Sequence, residues 1–286
     1  MIQRSVDVGD GQLDVTEFGP SDAPAVLAIH GVTSSSRAWL ALTRHLPDVR
    51  FIAPDLRGRG RSAGLPTSTG LRHHAQDLGR LVDALDLGSV PIVAHSMGAF
   101  VAVALAAERP DSVGSLLLVD GGYPLSRPSG IADDDLAATV LGPIAARLAR
   151  EFPTREAYRD FWREHPAFRG SFTDDIAEYA DYDLVGEPPH LRTASTIEAI
   201  AADSLEIFGP DWYLEALAAL RVPAPMLRAP RGLLDESGGL YPGLPASPPL
   251  APTMSVTDVD DVNHYTILMT DPGAGIVADA LRATLT

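Results

Sequence analysis

A serine stands at position 96 where an apolar run ends and a small-residue run begins, in PIVAHSMGAF (91–100). A polar group at the join of a buried strand and a helix needs a partner or a purpose. Capping a helix is one purpose, and serine serves it well. Nucleophilic attack is another, provided a nearby imidazole takes the hydroxyl proton. A sharp strand-to-helix turn of the form G-x-S-x-G strains the serine backbone and needs small residues on both sides. Ala94 and Gly98 supply them, with alanine standing in for the first glycine. In such a turn the Met97 N–H, at the helix start, can donate to a developing oxyanion.

The base and acid must come from elsewhere. In a strand-turn-helix serine site the chain order is Ser, acid, His. His264, in DVNHYT, follows the last apolar run and sits where a loop leaves a core strand. It is the expected base. The acid that fixes its tautomer is expected to be Asp235, in RGLLDES, 29 residues earlier, with Asp120 (in LLLVDGG) or Glu236 as alternatives. A second oxyanion donor should follow an earlier strand. In LAIHGVTSSSRAW, Gly31 lets the backbone approach Ser96 and the Val32 N–H is the donor, while the His30 side chain is a structural hydrogen-bonding group.

These residues need a frame that gathers them. Apolar runs at Ala25–Ile29, 51–53, 91–94 and 115–119 predict short buried strands. Helical patterns lie between them, at 37–46, 71–85 and Met97–Glu108. In the second, Leu78, Leu81, Val82 and Leu85 line one helix face. Alternation of strand and helix, with continuously apolar strands, predicts a parallel sheet covered on both faces. From 132 to 220 the pattern is helical only (154–165, 172–182, 193–208, 210–220) and rich in aromatics. Strands return at 225–229 and 253–259, and a helix at 273–284 closes the chain. The expected division is an α/β core of residues 1–122 and 221–286 with a helical cap of residues 123–220. The Pro- and Gly-rich stretch 237–252 reads as an irregular surface loop.

Composition narrows the function. The net charge of −16 disfavours nucleic acid as a partner. No cysteine is present, which removes thiolate zinc sites and a cysteine nucleophile. All 22 basic residues are arginine, a pattern read as codon bias, so lysine Schiff-base chemistry is excluded. No apolar stretch is long enough for a membrane span, and the amino terminus lacks the apolar core of a signal peptide. The expected setting is cytoplasmic, with a small-molecule substrate and a monomeric or homodimeric state.

HGVTSSSRAW, APDLRGRGRS, AHSMGA and VNHY, in that order and with GLLD in the acid position, resemble the α/β-hydrolase superfamily, in its branch with a helical cap. The resemblance covers nearly all of the chain outside the cap. It implies an eight-stranded, mostly parallel sheet with helices on both faces, a cap inserted after strand 6, and no cofactor. It also implies that Asp55, Arg57, Gly58 and Gly60 fix a loop beside the site. The stretch after Asp235 departs from the family pattern, which has a helix there.

Other motifs read as structural. RGRGRSAG lacks the spacing of a phosphate cradle and reads as a solvated turn. His73 and His74 are consecutive, so on a helix they diverge by about 100° and share no metal. Asp133, Asp134 and Asp135 lack calcium-ligand spacing and suit a helix start. No metal site is expected. Among the aromatics, Trp162, Phe168, Tyr179 and Tyr182, with Tyr123, are the candidates to line a substrate pocket. The resulting expectation is a serine hydrolase, esterase- or lactonase-like, acting on an ester, lactone or thioester of a bulky apolar substrate through an acyl-enzyme. The alternatives are C–C bond hydrolysis, lyase or perhydrolase chemistry on the same triad, or a non-catalytic ligand receptor on the same scaffold. A serine nucleophile argues against the aspartate-based dehalogenase and epoxide hydrolase mechanisms.

Overall fold

A computed structural model describes residues 1–127, 130, 144–244 and 251–285. Its strands, in chain order, are β1 (Ile2–Asp7), β2 (Gln12–Phe18), β3 (Ala25–Ile29), β4 (Arg50–Pro54), β5 (Val90–His95), β6 (Val113–Val119), β7 (Leu184–Val185), β8 (Arg192–Thr193), β9 (Ala224–Arg228) and β10 (Met254–Asp258). Eight of them form one sheet in the order β1-β2-β4-β3-β5-β6-β9-β10. The pairs β1–β2 and β2–β4 are antiparallel, and every other pair in this sheet is parallel.

The apolar runs are continuous because both faces of the sheet are buried. Successive side chains on a strand point to opposite faces. Leu27 and Ile29 therefore join one core, with Ile92, Ala94, Leu116 and Leu118. Val26 and Ala28 join the other, with Val93, Leu117 and Val119. Truncating a fully buried leucine such as Leu117 to alanine should cost roughly 2–5 kcal/mol, set by how far the site collapses.

Helices α1 (Leu40–His45), α2 (Leu71–Ala84) and α3 (Met97–Glu108) follow β3, β4 and β5. Helix α3 is buried from Met97 to Ala106. An Ala- and Val-rich helix without an amphipathic stripe suits a position buried on all sides. The run 37–46 divides into a 3₁₀ turn, Ser36–Trp39, and α1, with the Ser35 hydroxyl capping the turn.

Between β6 and β9 the described residues form helices Arg155–Glu164, Asp174–Asp183, Ile197–Glu206 and Asp211–Ala218. Three of these start on a threonine, Thr154, Thr173 and Thr196, whose hydroxyl accepts from the N–H three residues on. This segment was expected to lack strands, yet it holds the two-residue ribbon β7–β8. Two residues are too few to leave a period in the sequence. Thr193, expected in a helix, belongs to that ribbon. Asp133, Asp134 and Asp135 lie outside the described residues, as does 245–250 of the Pro- and Gly-rich stretch. No helix among the described residues is long and apolar enough to cross a membrane.

The reading of RGRGRSAG as a solvated turn is corrected. Arg57 and Arg59 are fully buried. Arg57 forms charge-assisted bonds to Asp77 of α2 (2.9 Å) and to Asp10 (2.8 Å). Arg59 pairs with Asp203 at 2.6 Å. Buried arginines persist when each finds a carboxylate.

Candidate active site

Ser96 occupies the turn from β5 to α3 with φ 55° and ψ −127°. Such a backbone is sparsely populated and is held only where neighbours enforce it. They do so by close approach. A Cβ on Gly98 would lie 2.2 Å from the Ile29 carbonyl oxygen, and one on Gly121 would lie 2.2 Å from the Ser96 carbonyl oxygen. The Ser96 N–H donates to Val119 O at 3.0 Å, tying the turn to β6.

His264 lies in the loop between β10 and helix Thr266–Met269. Its Nδ1 is 2.7 Å from Asp120 Oδ2, and both side chains are buried. Asp120 accepts a second bond at Oδ1 from the Ala229 N–H, 3.0 Å away. A carboxylate can only accept, so Nδ1 carries the proton and Nε2 presents a lone pair. The backbone holds the residue as well. The His264 N–H donates to Arg231 O at 3.0 Å, and His95 Nε2 donates to His264 O at 2.9 Å. The His95 and His264 rings lie 4.6 Å apart. Burial, with His264 close by, pushes the His95 imidazole well below its ordinary range, so it stays neutral and keeps this bond.

The expected acid is therefore corrected. Asp235 sits on the far side of the histidine loop. Its Oδ1 accepts from Arg231 Nε (2.7 Å) and Asn263 Nδ2 (2.9 Å). Glu236 accepts from the Leu234 N–H at 2.7 Å within its own turn. The carboxylate on the imidazole belongs to Asp120, the alternative. Its position follows from register: β5 and β6 are parallel neighbours with His95 opposite Val119, so Ser96 and Asp120 leave the same sheet edge side by side.

Val32, in the loop after β3, lines the same cavity as Ser96. Leu56 N–H donates to His30 Nε2 at 2.9 Å, so His30 Nδ1 bears the proton and donates to Gly31 O at 2.8 Å. In a trans peptide this fixes the Val32 N–H, which points opposite to the Gly31 carbonyl. Burial pushes the His30 imidazole down to about 4, which preserves this arrangement near neutrality. A Cβ on Gly31 would lie 3.0 Å from Ser96 Cβ, so the loop runs directly over the serine. Met97 N is the first helical N–H of α3 and has no helical acceptor before it.

Ser96 and His264 open into one cavity, lined by Gly31, Val32 and Tyr179 and by aliphatic side chains such as Leu125, Ile207 and Leu233. A second cavity adjoins it, with Ile144, Leu233 and Tyr265 as shared walls.

A family model for the alpha/beta hydrolase fold matches residues 24–187, more than half of the chain. The chain belongs to the α/β-hydrolase family. Lipase LipV of Mycobacterium tuberculosis (strain ATCC 25618 / H37Rv) is 42% identical over 141 residues, 48% of this chain and 54% of the lipase. A 2-(acetamidomethylene)succinate hydrolase of Mesorhizobium japonicum is 39% identical over 121 residues, 42% of either chain. The chain thus spans about half the length of the curated relatives it matches. Among solved structures, E-2-(acetamidomethylene)succinate hydrolase superposes with a TM-score of 0.77 at 23% identity, covering 99% of this chain and 98% of that one. At that identity the likeness speaks for the fold alone.

The remaining expectations divide within this α/β-hydrolase. Gly31 and Tyr179 line the cavity that Ser96 opens, and Trp162 lines the adjoining one. His30 is fully buried in the loop after β3 and reaches neither cavity wall. Phe168 is fully buried among aromatics and reaches neither cavity wall. Tyr182 instead donates to Asp55 Oδ2 at 2.7 Å. Tyr123 packs edge-on against Tyr241 and faces a separate depression. Asp55 also accepts from the N–H groups of Ser36 and Arg61, and a Cβ on Gly60 would collide with its carboxylate. His95, inside the serine motif, also lines the Ser96 cavity, and its position next to Ser96 is the signal that marks it. Among the described residues, Asp10, His73 and Asp77 have donor atoms close enough to share a cation. The Arg57 guanidinium already bridges both carboxylates.

Proposed function

We propose that the chain is a serine hydrolase that cleaves a carboxylic ester, lactone or thioester with an apolar acyl group. The observation that carries this reading is the 2.7 Å contact of His264 Nδ1 with Asp120 at a cavity into which Ser96 opens. In this reading Ser96 Oγ attacks the carbonyl carbon and His264 Nε2 takes its proton. Asp120 holds the tautomer and stabilises the imidazolium. The N–H groups of Val32 and Met97 receive the negative oxygen. Collapse of the intermediate expels the alcohol or thiol, protonated by His264, and leaves an acyl-enzyme. Water, deprotonated by His264, then attacks the acyl carbon and releases the acid and the free serine. Residues 123–220 act as the cap, and the aliphatic and aromatic walls that its described residues lend the cavity exclude water and select the acyl chain. Relatives named as a lipase and as hydrolases support this class of chemistry.

The test is labelling with a fluorophosphonate, followed by p-nitrophenyl esters of rising acyl length. The expected result is stoichiometric labelling that Ser96→Ala abolishes, with hydrolysis of esters in the same sample. An unlabelled folded protein overturns the reading in favour of a receptor. Labelling without hydrolysis of any ester overturns ester cleavage in favour of C–C bond chemistry on the same groups.

A further inference from the structure

The Val32 N–H lies in the plane of the Gly31–Val32 peptide, so it keeps its place only while that peptide is held and the Val32 backbone beyond it is anchored. His30 fixes the first through the Gly31 carbonyl. The second ends in the Val32 carbonyl, and that oxygen accepts from Arg59 Nε at 2.8 Å. Arg59 is fully buried, and its guanidinium reaches further than one partner. Nη1 donates to Arg57 O at 2.8 Å and to Ala199 O at 3.3 Å, and Nη2 lies 3.8 Å from Met97 Sδ. One side chain thus touches both residues whose N–H groups face the oxyanion.

Its counter-ion comes from the segment between β6 and β9. Asp203, on helix Ile197–Glu206, meets Arg59 Nη2 at 2.6 Å and His74 Nε2 at 2.9 Å. Burial opposes the charge of Asp203, but His74 and Arg59 outweigh it and hold the carboxyl down at about 2. The same helix presses on the arginine loop. Gly58, at φ 76°, would carry a Cβ only 2.9 Å from Ala199 Cβ. Next to Asp203, Ser204 lines the substrate cavity, as does Ile207 just past the helix end.

We propose that Arg59, anchored by Asp203, is the positioning residue for the Val32 oxyanion donor, and that helix Ile197–Glu206 links the occupant of the cavity to that donor. The inference rests on the oxyanion role given to Val32 above. It makes the segment between β6 and β9 part of the catalytic geometry as well as a cover. A substrate that seats against Ser204 and Ile207 steadies Asp203, hence Arg59, hence the Val32 peptide. Acyl length then governs kcat more than KM.

The test compares Arg59→Met with Arg59→Met/Asp203→Asn, because the single change strands a buried carboxylate and the double change removes both charges. The double variant should melt close to the unaltered protein. Its kcat should fall by about 10–100-fold, short of the 10²–10³ for a lost donor, while KM stays within about threefold. Its dependence of kcat on acyl length should flatten. A folded double variant with unchanged kcat overturns the inference. If neither variant folds, the unaltered protein decides: a crystal structure with a trifluoromethyl ketone should show its oxyanion on the Val32 N–H and Val32 O on Arg59 Nε. An oxyanion bound with Val32 O swung off Arg59 overturns it. Failure of the ketone to bond Ser96 at all counts against the serine reading itself, which keeps the two outcomes apart.

Discussion

The turns after β6 and after β9 are alike on paper and opposite in use. Each follows a parallel strand at the same sheet edge, and each places an aspartate in a left-handed backbone, Asp120 at φ 44° and Asp235 at φ 64°. Asp120 is fully buried and holds the imidazole of His264. The Asp235 side chain is 40% exposed and braces the histidine loop from outside through Asn263. The difference comes from strand order. β6 lies beside the serine strand, and β9 lies one strand farther away. Lateral position in the sheet, rather than distance along the chain from the histidine, decides which carboxylate meets the ring.

Replacing Asp120 with Asn gives the largest effect that contrast implies. With the wrong tautomer favoured, kcat should drop by about 10³–10⁴, as tautomer-disrupting changes do in such triads. Steady-state ester kinetics on folded protein check it, and a loss below tenfold collapses the comparison. Asp235→Asn should lower kcat by less than about tenfold, because only an outer brace of the loop is weakened. Glu236→Gln should change kcat still less. Equal losses from Asp120→Asn and Asp235→Asn would return the acid to the later turn.

The buried histidines beside Ser96 and the outer Asp235 brace also differ in how acid weakens them. His30 titrates at about 4 in the folded chain against an ordinary 6.5, and His95 is displaced the same way. Between those values the unfolded chain binds more protons, so stability is greatest above about 6.5 and falls as the pH drops towards 4. Asp235 is shifted down from 3.8, first by its bond from Asn263 and further by Arg231. Its contribution is present above that value and is lost only at lower pH. Thermal melts from pH 8 to pH 3 should show the histidine loss first. His30→Asn should flatten the melting-temperature slope between pH 6.5 and 4, and Asp235→Asn should leave that stretch of the curve unchanged. A melting temperature independent of pH between 6.5 and 4 contradicts the assignment.

Much of this arrangement is legible in the sequence. Ser96 and Gly98 announce their turn because a close backbone approach admits few residue types. His264 follows an apolar run, and the alternation of strand and helix gives the parallel sheet. Asp120 against Asp235 was not legible in the same way, because one sequence does not state which strands are neighbours. The arginines of RGRGRS misled for a related reason. Charged side chains usually stay in water, and the partner that buries Arg59 lies on a helix 144 positions away. The aromatics were read as a group, and only packing separates Tyr179, at the cavity wall, from Phe168, inside its own cluster.

Seating the carboxylate at the end of β6 leaves the chain after β9 only the outer Asp235 brace as its electrostatic duty. Leu233 and Leu240, in that later stretch, contribute only their hydrocarbon bulk to the cavity. A designer can therefore lengthen, shorten or graft the tip of this stretch, beyond the Asp235 brace, to retune which guest is admitted, while the carboxylate that meets His264 stays on another strand.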